Sequence, residues 1–211
     1  MKNLIIIGAR GFGREYHNGL KLRDDYGKDF IIKGFLDDKK DALDGFENYA
    51  PILNSVEDYL IEPEDVFVCA LGDSFYRRKY VNMIKEKGGI FSSIISSKSI
   101  IHPNAQIGEG VMISAFCNIS SNTVIGDFTT IQPYCNIGHD AVIGDFCSLE
   151  SYSFMGGFSR IGDNVTLHTR ATILPHVKIG DNSIVGAGSV VLRNVKSNIT
   201  VFGVPAKKIS F

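Results

Sequence analysis

Residues 119–149 read ISSNTVIGDFTTIQPYCNIGHDAVIGDFCSL, and their spacing decides the fold. Every sixth residue is aliphatic: Ile119, Ile125, Ile131, Ile137, Ile143 and Leu149. Four places after each comes a small one: Thr123, Thr129, Cys135, Ala141, Cys147 and Ser153. Read outward, the same register runs unbroken from Ile101 to Val191, sixteen aliphatic residues and sixteen small followers. A period of six fits neither a helix of 3.6 residues per turn nor a two-sided strand. It fits a parallel β-helix in which each hexad makes one short side and one corner.

Three sides close a triangular coil of 18 residues, with the aliphatic residue inside and the small residue at the tapering corner. Sixteen hexads make about five coils, and strands ~4.8 Å apart give a prism roughly 25 Å tall. Glycine often follows the aliphatic position, as in Gly126-Asp127, Gly144-Asp145 and Gly162-Asp163-Asn164. These read as turn residues that tolerate unusual φ/ψ. The pattern does not give the hand, and the general crossover rule would make it right-handed.

Residues 1–94 follow a different rhythm. Leu4 to Ile7 reads as a buried strand, followed by Gly8-Ala9-Arg10-Gly11-Phe12-Gly13 and a helix from Arg14 to about Leu22. Ile31 to Leu36 is a second strand ending in Asp37-Asp38. Asp65 to Gly72 is a third, and a helix from Phe75 to Lys87 follows. Strands alternating with helices give a small parallel α/β sheet. A Ser-rich stretch, Ser92 to Ser99, leads into the prism, and residues 197–211 read as a tail.

Composition narrows the function. The 211 residues carry 22 Lys+Arg against 23 Asp+Glu, a net charge of −1. That balance argues against nucleic acid or an anionic membrane as main partner. The longest early apolar run has four residues, too short for a signal-peptide core or a membrane span. With four unpatterned cysteines, the expectation is a reduced, cytoplasmic protein. Cys117, Cys135 and Cys147 fall on small repeat positions and read as buried hydrophobes, as does Cys69 in its strand.

Several residues can carry chemistry. Strand, glycine turn and helix N-terminus make an anion site, because free N–H groups and the helix dipole favour a phosphate. The alternative is a plain tight turn. The loop is Gly-x-x-Gly-x-Gly, not the dinucleotide spacing, so nothing points to NAD. Asp37-Asp38 stands where ribose-recognising acids sit in doubly wound folds, or forms a solvated turn. Gly72-Asp73 with Arg77 ends the third strand at the same sheet edge. Three such features on one edge favour a nucleotide-type ligand. His139 breaks a turn where most coils show Gly-Asp or Gly-Glu, so it projects outward with a carboxylate, Asp140, beside it. An imidazole held by a carboxylate can act as a general base; the other reading is a surface histidine. His17 and His102 read as structural or solvated, and His168 and His176 as surface or interface residues.

With both halves on the page, nearly the whole chain resembles the sugar acetyltransferases of the sialic acid O-acetyltransferase and bacillosamine-pathway type, within the hexapeptide-repeat acyltransferases. The matching pieces are Gly8-Ala9-x-Gly11-x-Gly13, Leu36-Asp37-Asp38, Ala70-Leu71-Gly72-Asp73 with Arg77, Gly138-His139-Asp140 and Gly203-Val204-Pro205-Ala206-Lys207. The resemblance implies a Rossmann-like nucleotide-sugar-binding domain over 1–94, a left-handed β-helix acyltransferase domain over 95–196 and a tail over 197–211. It implies that Gly8, Arg10, Gly11, Phe12, Gly13, Asp37, Asp38, Gly72, Asp73 and Arg77 meet the nucleotide-sugar. It implies His139 as base, Asp140 as its partner, and acetyl-CoA between subunits of a homotrimer near Ser148, Thr169, Gly186, Ala187 and Lys207. Members of the family often carry histidine where Ser148 stands, and Ser-Gly-His-Gly where this chain has Arg10 to Gly13.

No metal is expected, because His139, His168 and His176 lack the close pair of the gamma-class carbonic anhydrases, which share the prism. The rival functions are a non-enzymatic nucleotide-sugar-binding scaffold and a metal-dependent hydratase. A nucleotidyltransferase fusion fits less well, since the N-terminal half is short and lacks the Gly-rich, Lys-containing activation loop.

Overall fold

Leu4 to Ile7 form the buried centre of the N-terminal sheet in the computed structural model, which describes residues 1–209. The chain divides into two units, Met1–Ser92 and Ser93–Phe211.

The first unit runs β1 (Lys2–Ile7), α1 (Gly11–Lys21), β2 (Phe30–Leu36), β3 (Ile52–Asn54), β4 (Asp65–Cys69), α2 (Ser74–Glu86) and β5 (Ile90–Phe91). All five strands are parallel, in the order β3-β2-β1-β4-β5. The edge strands β3 and β5 are too short to show an alternating pattern and were not legible in the sequence. Because β2 and β4 flank β1, the chain departs from β1 and from β4 in opposite directions. A crevice opens outside their carboxyl ends, where open α/β sheets bind ligands. Helix α1 begins at Gly11, three residues earlier than its apolar pattern suggests, so the second and third glycines of the loop lie in its first turn. Close packing explains this: a Cβ on Gly13 would stand 1.8 Å from the Gly8 carbonyl oxygen. Gly8 itself has φ +98°, a region that glycine reaches at little cost.

The second unit is a parallel solenoid of two-residue strands on three faces. One face stacks six strands, from Ile100–Ile101 to Val190–Val191; a second stacks five, from Gln106–Ile107 to Lys178–Ile179. The third has eight, from Ile94–Ile95 to Lys207–Ile209. Asn118 pairs with Asn136 and Ile119 with Ile137, so the ladder steps by one coil of eighteen. Ile119, Ile131, Ile137 and Leu149 are fully buried, as the hexad pattern requires. Within the tail, Thr200–Phe202 continues the third face beside Ile184–Val185 and then turns back to pair antiparallel with Lys207–Ile209.

The corner chemistry differs from the sequence expectation in one respect. Gly126 and Gly144 do not have positive φ; the residue two places further on does, as at Phe128 (+55°), Asp140 (+58°) and Phe158 (+59°). These left-handed positions are tied down, because the Phe158 N–H donates to the His139 carbonyl and the Asp140 N–H to the Ser121 carbonyl, each at 3.0 Å. The glycine serves close approach instead. A Cβ on Gly126 would stand 2.3 Å from Asp145 Oδ1, and that oxygen accepts the Asp127 N–H at 2.8 Å. The same bond recurs from Glu109 to Asp127, from Asp145 to Asp163 and from Asp163 to Asp181. Each carboxylate thus caps the corner of the neighbouring coil.

The small positions also have a polar task. Thr129 Oγ1 donates to the Gly144 carbonyl at 2.9 Å, and Cys147 Sγ to the Gly162 carbonyl at 3.0 Å. Cys117 and Cys135 make the matching contacts to Gln132 and Glu150. All four cysteines are free and buried; those of the solenoid are weak donors as well as small hydrophobes.

Candidate active site

Gly138-His139-Asp140 forms the corner between the strands Asn136–Ile137 and Val142–Ile143. The left-handed turn at Asp140 directs the neighbouring side chains outward: His139 is 59% exposed and Asp140 34%. His139 Nδ1 lies 2.8 Å from Asp140 Oδ2, and Asn122 Nδ2 donates to Asp140 Oδ1 at 3.3 Å. The hydrogen bond from His139 holds the Asp140 carboxyl below its ordinary range, so it stays ionised. A neutral ring that donates from Nδ1 to this carboxylate carries its lone pair on Nε2. The ring meets Phe158 edge-on at 5.1 Å, and Phe158 stacks on His176 at 5.0 Å. Gly157, one coil on from His139, lies directly against the imidazole.

The residues expected around acetyl-CoA lie elsewhere on the solenoid. Ser148, 9% exposed, is on a strand of the eight-stranded face. Thr169 is at the next corner, where Glu150 accepts its N–H at 3.0 Å and its hydroxyl at 3.2 Å, and also meets His168 Nδ1 at 3.0 Å. Gly186 and Ala187 occupy that same corner one coil on; a Cβ on Gly186 would stand 2.3 Å from Phe202. Lys207, on the returning strand, lines a groove of about 480 Å³ with Arg193, Lys196 and Lys208. Among the described residues no group of His, Cys, Asp or Glu side chains is arranged to hold a metal.

In the first unit a cleft of about 680 Å³ opens at the carboxyl edge of the sheet. Gly8, Arg10, Asp37, Asp38 and Asp73 line it, joined by Lys39, Tyr76 and Tyr80. Arg10 is the N-cap of α1, and no acidic residue occupies the first turn, so the helix end presents free N–H groups and a cation. Gly11 and Phe12 belong to that turn, with Phe12 packed edge-on against Tyr16.

The acids divide by role. Asp37 Oδ2 accepts the Ala9 N–H and Oδ1 the Lys39 N–H, both at 2.9 Å. Asp73 caps α2 through the N–H groups of Phe75 and Tyr76. Asp38 instead accepts the Tyr80 hydroxyl. Arg77 is 1% exposed; its Nη1 donates to the Leu71 carbonyl at 2.8 Å and to Gly72 at 3.5 Å, bracing the turn after β4 from beneath. Sequence reasoning overlooked Tyr76, Tyr80, Gly157 and Phe158. The i, i+4 spacing of the tyrosines on α2 was a signal for two of them, and the 18-residue step from His139 for a third.

Residues 3–84 match the PglD N-terminal domain family. Residues 122–157 and 158–193 match the bacterial transferase hexapeptide (six repeats). The chain is similar to PerB from Caulobacter crescentus, solved with CoA and GDP-perosamine: 26% identity, 100% of this chain and 98% of that one, TM-score 0.88. It is similar to WeeI from Acinetobacter baumannii AYE at 27% identity, covering 99% and 100% of the two chains, TM-score 0.86. The acetyltransferase domain of PglB from Neisseria gonorrhoeae FA1090, solved with acetyl coenzyme A, shares the fold at 23% identity, 99% coverage of each chain and TM-score 0.76. No curated protein matches by sequence. A PglD-type N-terminal domain followed by a hexapeptide solenoid, in one chain that aligns end to end with PerB and WeeI, supports a sugar acetyltransferase of the hexapeptide superfamily.

Proposed function

We propose that the protein transfers an acetyl group from acetyl-CoA to an amino or hydroxyl group of a nucleotide-activated sugar, with His139 as general base. The observation that carries this reading is the exposed imidazole whose Nδ1 lies 2.8 Å from the Asp140 carboxyl while Nε2 makes no hydrogen bond among the described residues. The acceptor nitrogen or oxygen attacks the thioester carbonyl as Nε2 removes its proton. The tetrahedral intermediate then expels the CoA thiolate, which recovers that proton from His139, so no acyl-enzyme forms. Backbone N–H groups stabilise the oxyanion. PerB, solved with CoA and GDP-perosamine, lends the substrate pair.

Residues 1–94 hold the nucleotide-sugar, 95–196 form the acyltransferase domain, and 197–211, of which 210–211 lie outside the described residues, act as a tail beside the cofactor. Arg10 and the first turn of α1 suit the diphosphate. Thr169, Gly186 and Ala187 are on a different corner from His139, which favours a homotrimer whose neighbouring corners meet over one acetyl-CoA. Flat faces and cyclic closure suit that assembly. Free, buried cysteines favour a reducing cytoplasm, and among the described residues no helix is long and apolar enough to cross a membrane.

A panel of nucleotide-linked amino and hydroxyl sugars, incubated with acetyl-CoA and read by thiol release, tests the activity. Release with at least one member is expected. Nucleotide-sugar binding without release across the panel would leave a scaffold protein instead. Light scattering tests the assembly, and a monomer at micromolar concentration would overturn the shared cofactor site.

A further inference from the structure

One hydrogen bond in contact with solvent holds an exposed ring such as His139 only weakly. In a neutral imidazole either nitrogen can carry the proton, and water alone does not keep it on Nδ1. Two further contacts bear on the ring. The Gly157 backbone lies against it from the next coil, and Phe158 meets it at an interplanar angle of 89° with the centroids 5.1 Å apart. Phe158 is itself fixed. Its N–H donates to the His139 carbonyl at 3.0 Å and its ring stacks on His176, whose N–H donates to the Gly157 carbonyl at 3.1 Å. The solenoid alone does not account for a phenyl group here. At the same position of this corner Asn122, Asp140 and His176 also have positive φ, and those residue types enter the left-handed region more readily than phenylalanine does. Phe158 is 45% exposed, so it adds little to the core. On another corner the aromatic residues at this position stack on one another, as Tyr134 does on Tyr152; Phe158 stands between two imidazoles instead.

We propose that Phe158, backed by His176, is a positioning residue that holds the His139 imidazole in the rotamer and tautomer able to take the acceptor's proton. This rests on the reading of His139 as general base. Two rings at right angles attract, because the positive edge of one meets the negative face of the other. With the Gly157 backbone and the phenyl ring both against it, the imidazole keeps Nδ1 on Asp140 and leaves Nε2 unbonded. Proton transfer depends on that placement, since a displacement of about 1 Å can cost on the order of 10²-fold in rate. Phe158 takes no proton itself and acts through His139.

The test uses the full chain with Phe158→Gly, which removes the ring while keeping the positive φ at little cost, and Phe158→Tyr, which keeps the ring. Two quantities are read. One is steady-state kinetics with acetyl-CoA and a nucleotide-sugar accepted in the thiol-release panel. The other is the ¹⁵N shifts of the His139 ring without substrate at about pH 8, which report the tautomer and are assigned by their loss in His139→Gln. The wild type should carry the proton on Nδ1. Phe158→Gly should mix the two tautomers and lower kcat about tenfold or more, with KM for acetyl-CoA little changed. Phe158→Tyr should restore both. A merely structural role would lower Tm without moving the tautomer. Wild-type kcat in Phe158→Gly, a lowered kcat with the Nδ1 proton intact, or no restoration by tyrosine overturns the proposal. If circular dichroism shows Phe158→Gly unfolded, His176→Ala replaces it; the same mixing with a several-fold loss of kcat is expected, and an unchanged tautomer overturns the proposal. Full activity of His139→Gln overturns the base reading instead, and the ring shifts then show separately whether Phe158 holds the imidazole.

Discussion

A Cβ placed on Gly157 would stand 2.8 Å from Nε2 of His139, one coil away. Only a residue without a side chain lets the imidazole rest against the backbone there, with Phe158 at its edge. His139→Ala should lower kcat by roughly 10²–10⁴-fold, the usual worth of a general base, with acetyl-CoA still bound. Gly157→Ala should also lower kcat while the solenoid stays folded, because the ring must swing off Asp140. Rate measurements beside circular dichroism check both. Full activity of His139→Ala would remove the assigned base, and full activity of Gly157→Ala would show that the ring need not lie there.

Asp37 ties the loop after β1 to the end of β2 through Ala9. Asp37→Ala leaves the N–H groups of Ala9 and Lys39 without their charged acceptor. A loss of about 1–3 kcal/mol is expected for such bonds, together with a raised KM for the nucleotide-sugar. Chemical denaturation showing unchanged stability would mean that the carboxylate does not organise the loop.

His17 is buried, stacked on Phe35, with Nδ1 3.0 Å from Asn18 Oδ1 and Nε2 accepting the Ala50 N–H at 3.1 Å. Burial lowers its pKa from 6.5, and Lys21 adds to this. The unfolded chain therefore binds the proton more readily, and stability is full above pH 6.5 and falls as the pH drops below it. Thermal melts should show a lower Tm at pH 5 than at pH 7, with a smaller difference in His17→Gln. An equal difference in that variant would assign the acid sensitivity to other groups.

Two buried serines at equivalent corner positions should respond oppositely. Ser153 Oγ donates to the Glu150 carbonyl at 2.7 Å, whereas Ser159 Oγ has no hydrogen-bond partner among the described residues. Ser153→Ala should destabilise by about 1 kcal/mol, and Ser159→Ala should be neutral or stabilising. Equal losses in parallel melts would contradict the difference in pairing.

The hexad register determined the three-sided solenoid, because stacking Ile119, Ile137 and Met155 inside requires a coil of 18 residues, and it left the hand open. It also marked His139, since a histidine follows Gly138 where Gly126, Gly144 and Gly162 are followed by Asp; the fold then shows those capping carboxylates on a different corner from His139. Which acids are free to bind was a different matter. Asp37 and Asp38 are adjacent and chemically identical along the chain. Only the fold brings the Ala9 N–H to one and the Tyr80 hydroxyl to the other. Likewise Arg77 read as a ligand-facing cation until packing placed it beneath the turn it braces. Hydrogen-bond partners distant in sequence decide such roles, and periodicity carries no record of them.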